Sequence, residues 1–209
     1  MKKLLPLIFS LLLVSAYGQE NKIEVTTKYD FPELGSREFF IESFQGIEKI
    51  DVSISDNQKI AGKNFKLIIR KYRNGKPQIE KVVHDTKKEE LPKIGKEFKF
   101  SIIAQQTFNK ERIGFMFPNF MNKSSFNVDQ KYSEENANTF LMRTVTKIDK
   151  INLEIGKETQ IALITPPNDD ENAGELGYCE ISKGYIDINE WYKKYKLTEF
   201  FMIYLVIQD

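Results

Sequence analysis

Residues 39–61, FFIESFQGIEKIDVSISDNQKIA, return without a gap 101 residues later as residues 140–162, FLMRTVTKIDKINLEIGKETQIA. Seven of the twenty-three positions are identical: Phe39/Phe140, Ile47/Ile148, Lys49/Lys150, Ile50/Ile151, Ile54/Ile155, Ile60/Ile161 and Ala61/Ala162. Others keep their character, as in Ile41/Met142, Ser43/Thr144 and Val52/Leu153. Within the stretch Ile50, Val52 and Ile54 alternate with Asp51, Ser53 and Ser55, the period of a strand with one dry and one wet face. Phe39, Ile41 and Ser43 read as an earlier strand that Gly46 ends. Residues 97–106 echo residues 199–208 at nearly the same spacing, sharing Glu, Phe and Gln. Two echoes at one spacing point to a tandem pseudo-repeat, about 31–106 and 132–208.

Strand periodicity continues on both sides. Ile23, Val25, Thr27 and Tyr29 alternate with polar residues, and Phe31-Pro32 and Leu34-Gly35-Ser36 read as a turn. Residues 65–73 and 78–84 flank Asn74-Gly75, a pair that tolerates the positive φ angles of a tight hairpin turn. The register stays open. A two-residue loop places Leu67 opposite Val82 and Ile69 opposite Glu80, whereas a shift of one pairs Ile68 with Val82 and Arg70 with Glu80. Residues 87–95 form a charged loop, followed by alternating strands at Phe98–Gln105 and Ile113–Phe117 that Pro118 stops. Polar residues dominate 119–133, the best candidate for a linker between halves, and Ser133 can cap a helical turn.

In the second half, residues 140–145, 151–155 and a segment around Ile161 and Leu163 read as strands, ending at Pro166-Pro167. Residues 168–177 are an acidic, glycine-containing loop, 178–181 a strand, and Asn189 caps a short helix through Leu197. The last strand is apolar on both faces: Phe201, Ile203, Leu205 and Ile207 on one, Phe200, Met202, Tyr204 and Val206 on the other. Neither face can lie in water, so each needs a cover. The expected fold is all-β, an antiparallel β-sandwich of about ten to twelve strands built from two related halves, with one short helix before the C-terminal strand.

The N-terminus reads as an export leader. Lys2 and Lys3 precede an apolar run over residues 4–14, and Ala16-Tyr17-Gly18 is a small-x-small cleavage site. This predicts a signal peptide at 1–18 and one exported β-sandwich unit at 19–209, periplasmic or secreted, with no transmembrane segment after cleavage. The general look is that of small exported all-β proteins, a resemblance carried by leader and strand pattern alone; it implies no activity. Cleavage lowers the 31 basic residues to 29 against 30 acids, a net charge near −1. Such balance supplies no attraction for nucleic acid. Sixteen Phe and nine Tyr argue for a packed core. Cys179 is the only cysteine, so no intramolecular disulfide forms.

No catalytic motif stands out. His84 is the only histidine; it lies on a strand with no nucleophile nearby and reads as a hairpin residue, which leaves no basis for a Ser-His-Asp or Cys-His site. Asp169, Asp170 and Glu171 are weak calcium candidates without the alternating spacing of a helix-loop-helix calcium loop. Nothing calls for a cofactor. Tyr178, Tyr185, Trp191, Tyr192 and Tyr195 crowd one segment and are the ligand-binding candidates, able either to stack on sugars or to cover the last strand. The expected function is a non-catalytic binding or interaction module, with a glycan or an envelope protein as partner. The alternatives are a carboxylate-dependent carbohydrate-active enzyme, which needs a cleft with two facing acids, and a subunit assembling by β-strand addition.

Overall fold

A computed structural model describes residues 23–54, 57–133, 140–146, 148–166, 187–188, 192–193 and 197–209. The chain is a β-sandwich. In order the elements are β1 (Ile23–Tyr29), α1 (Arg37–Gln45), β2 (Ile47–Ile54), β3 (Asn64–Arg73), β4 (Lys76–Asp85), β5 (Lys99–Thr107), β6 (Lys110–Phe117), β7 (Phe120–Asn127), β8 (Leu141–Thr144), β9 (Lys150–Leu153), β10 (Thr159–Thr165) and β11 (Glu199–Gln208). A six-stranded sheet runs β7-β6-β5-β2-β1-β9 and a five-stranded sheet β4-β3-β11-β10-β8. Every pairing is antiparallel. The alternating apolar positions of both sheets meet in one core, with Val25, Ile50, Val52, Ile69, Ile102, Phe115, Phe201 and Ile203 all nearly or fully buried.

The alternation read for β2 holds: Ile50, Val52 and Ile54 are buried and Asp51 is exposed. β11 is central, pairing with β3 along its whole length on one side and with β10 on the other. Its two greasy faces are both covered. Phe201, Ile203, Leu205 and Ile207 enter the main core, while Phe200, Met202, Tyr204 and Val206 form a second cluster with Ile68, Tyr72, Leu163 and Leu197. With both edges filled, β11 is not a strand available for addition to another chain. Of the predicted helix before it, Tyr192 and Lys193 are described and helical, whereas Leu197, its expected end, is described and is not.

Three expectations change. Phe39, Ile41 and Ser43 lie not in a strand but in α1, which Ser36 caps by accepting the Phe39 N–H at 3.0 Å and which Gly46 ends in the left-handed conformation. Residues 119–133 are not a linker: β7 is the edge strand of the larger sheet, and a 3₁₀ turn at Gln130–Tyr132, capped by Asp129 with Ser133 at its C-terminal end, buries Tyr132 completely. The echoed stretches also fail to repeat in space. β2 pairs with β5, but the matching β9 does not pair with β11, which lies in the other sheet. Strands of the two halves interleave instead, β1 with β9 and β3 with β11.

The β3–β4 hairpin resolves its register by bulging. Asn74 and Gly75 both have positive φ, so the two-residue turn is tight and pairs Arg73 with Lys76 and Tyr72 with Pro77. An extra residue, Gln78, shifts the register so that Arg70 meets Glu80 and Ile68 meets Val82. A second bulge at Val83 then pairs Leu67 with His84. Because side chains alternate along a strand, this extra residue turns His84 to the inner face that Leu67 occupies.

Candidate functional site

That second bulge lies at a pocket of the described residues. Where β4 and β7, edge strands of opposite sheets, approach each other, the Asn122 side-chain amide donates to the Val83 carbonyl at 3.3 Å. Beside this tie lies a cavity of about 560 Å³, in the size range of small-molecule sites. Its wall is aromatic. Pro118-Asn119 forms the turn between β6 and β7, so Phe117 and Phe120 stand opposite each other and stack at 4.5 Å with planes 12° apart. His84 lies 5.3 Å from Phe120, 5.5 Å from Phe117 and 4.9 Å from Phe65, and Phe98 closes edge-on against Phe65 at 4.9 Å. Such offset and tilted contacts are the favoured geometries of ring quadrupoles.

The loop over residues 86–98 forms the rim and is pinned at both ends. The Thr86 N–H donates to the Phe65 carbonyl at 3.0 Å and the Phe65 N–H to Thr86 Oγ1 at 2.9 Å. At the other end the Ile94 N–H donates to the Lys63 carbonyl at 3.0 Å, and Ile94 is buried. Between these anchors Leu91 and Pro92 line the mouth, with Glu89, Lys93, Glu97 and Lys99 around it. Phe120 is 45% exposed.

Burial lowers the His84 pKa from its ordinary value, against the pull of Glu89 and Asp85 in the opposite direction. The imidazole is therefore neutral at pH 7, with one nitrogen able to donate and the other to accept. Asn122 Oδ1 is buried and finds no hydrogen-bond partner among the described residues. The lining holds no serine, threonine or cysteine among the described residues. The arrangement can hold a flat apolar group and offer it a few polar contacts.

Of the residues singled out in the sequence, Tyr178, Tyr185, Trp191 and Tyr195 lie outside the described residues, as do Asp169, Asp170, Glu171 and Cys179. Tyr192 is half-buried and packs on the β3–β4 turn, where a Cβ added to Gly75 would stand 3.0 Å from the Tyr192 Cβ. It is remote in sequence from the aromatic pocket's lining. His84, read as a plain hairpin residue, is the centre of the pocket. The signal for its neighbours was present in Phe117-Pro118-Asn119-Phe120, two aromatics across a two-residue turn.

Comparison with protein-family models, with curated proteins and with solved structures finds no match to this chain.

Proposed function

We propose that this protein is a non-catalytic exported binding module whose ligand presents a flat apolar ring to the pocket at His84. The observation that supports this is the stack of Phe117, Phe120 and His84 on the wall of an open cavity of about 560 Å³. Burying a ring against such a wall is worth about 0.5–1.5 kcal/mol beyond its area term. The polar mouth and the neutral imidazole would fix orientation, the usual division of labour in small-molecule sites. A glycan remains the alternative ligand, since a sugar's apolar face also stacks on rings.

Titration by ligand-observed NMR with indole, octanoate and methyl β-glucopyranoside separates the chemistries. Indole should bind the native protein and bind Phe120→Ala about fivefold or more weaker, the cost of one lost stacking contact. Preference for the glucoside would turn the reading to glycans. No binding of any probe, or binding untouched by Phe120→Ala, would remove it.

A further inference from the structure

A second cavity lies where β1 ends. Tyr29 pairs with Ile50, so Glu48, two residues earlier on β2, has no β1 neighbour. It turns instead to the free edge of β8, accepting the Met142 N–H at 2.5 Å, while the Tyr29 hydroxyl donates to the Met142 carbonyl at 3.2 Å. In front of Glu48 is a cleft of about 520 Å³. α1 lines one wall with Phe39, Glu42 and Ser43, residues at helical spacing, and Phe31 and Pro32 line another, Phe31 being stacked on Tyr29 at 5.4 Å.

The charges around this cleft do not balance. Lys49 is held by both Asp30, at 3.2 Å, and Glu42, at 2.9 Å. Arg143 from β8 interacts electrostatically with Glu48 and Tyr29. Behind Glu48, and within its electrostatic reach, β6 supplies Glu111, 1% exposed, whose Oε2 has no hydrogen-bond partner among the described residues. Half-buried Glu48 thus meets one guanidinium and one further, buried carboxyl. A buried carboxylate without a cation is costly and takes a proton instead. Burial accordingly lifts Glu48 to about 7, and Glu111 well above its ordinary value.

We propose that this cleft is a second ligand site, taking a small organic cation whose ammonium pairs with Glu48 and whose apolar body lies between Phe31 and Phe39. The ammonium takes the place of the proton on Glu48, forming a charge-assisted hydrogen bond, and the aromatic walls add a cation–π contribution. Where Glu48 carries its proton, binding releases that proton to solvent, while an alkylammonium, like that of lysine, keeps its own.

Calorimetric titration with phenethylamine, phenethyl alcohol and phenylacetate tests this, because the three differ mainly in charge. The amine should bind about tenfold or more tighter than the alcohol, the effect of one charge-assisted hydrogen bond. At pH 6.5 its heat should depend on the buffer's ionisation enthalpy as proton release requires. Glu48→Gln should erase the preference for the amine while leaving the alcohol unchanged. Phe31→Ala, at a ring 77% exposed and so without a role in the core, should weaken both. Phe120→Ala in the other pocket should leave the preference for the amine over the alcohol unchanged. Equal or tighter binding of alcohol or phenylacetate, absence of proton release, or no binding of the amine would each overturn the proposal.

Discussion

Arg70 stands opposite Glu80 in the β3–β4 hairpin, its Nε 2.8 Å from Glu80 Oε2, although the two-residue turn at Asn74-Gly75 would by itself place Ile79 there. The extra residue Gln78 makes the difference. With it in place, Arg70 also reaches Glu158, at 2.9 and 3.0 Å, and lies 4.6 Å above the Tyr204 ring. One guanidinium so ties an edge strand, the central strand β11 and the approach to β10 on the outer face of the smaller sheet.

Deleting Gln78 should therefore remove the bulge and leave residues 79–82 in their present register, with Lys71 opposite Ile79 and Arg70 opposite Glu80. The charge pair is kept, so stability should change by no more than about 0.5–1.5 kcal/mol, the net worth of one hydrogen bond. Urea denaturation gives the size, and cross-strand NOEs give the register. An Arg70 that faces Ile79 or Lys81 in the variant would show that the turn, and not the bulge, sets the pairing.

Inside the sandwich Lys71 and Glu199 form an ion pair at 3.0 Å, their side chains 7% and 2% exposed. Lys71 also donates to the Asn127 carbonyl at 2.6 Å, and Glu199 accepts the Asp129 N–H at 3.2 Å. Removing one partner leaves a buried charge, so Glu199→Ala should cost about 3–5 kcal/mol, whereas the double change Lys71→Met with Glu199→Leu should recover most of it. Chemical denaturation of the three variants checks both statements. A single variant as stable as the double one would mean that water reaches Lys71.

Stability should depend on pH through two groups acting oppositely. Glu48, raised by burial to about 7 against the lowering effects of the Met142 N–H and Arg143, binds its proton more tightly folded than unfolded. Its contribution is whole below the ordinary value of 4.5 and is lost as pH rises to about 7. His84 is lowered by burial, so its contribution is whole above the ordinary 6.5 and is lost as pH falls through the folded value. Glu48→Gln should gain on the native protein between pH 4.5 and pH 8 by on the order of 2–3 kcal/mol. Urea midpoints at the two pH values measure the gain; equal differences at both would show Glu48 to be solvated.

The sequence made legible what depends on pattern. Alternation at Ile50, Val52 and Ile54, the turn at Asn74-Gly75 and the double-faced strand at the C-terminus each led to the element observed. Misread elements lack a buried face to impose a period. α1 buries no residue and leaves Phe40 and Phe44 exposed, so only its caps, Ser36 and Gly46, marked it as a helix. β7 is an edge strand whose buried positions are only Ser124 and Phe126, and its polar run resembles a loop. The pocket at His84 was hidden for another reason. Nothing local to His84 announces a bulge, and the rings around it come from three strands and from Phe98 at the end of a loop.

Because His84 is the sole histidine, its ring protons give resolved NMR signals that report on this pocket alone. Titrating indole into the protein and following those signals tests the central claim. The account predicts saturable shifts of the His84 ring protons with intermolecular NOEs to indole, both strongly reduced in Phe120→Ala. Indole that leaves the His84 signals unmoved, whether it binds elsewhere or not at all, would contradict it.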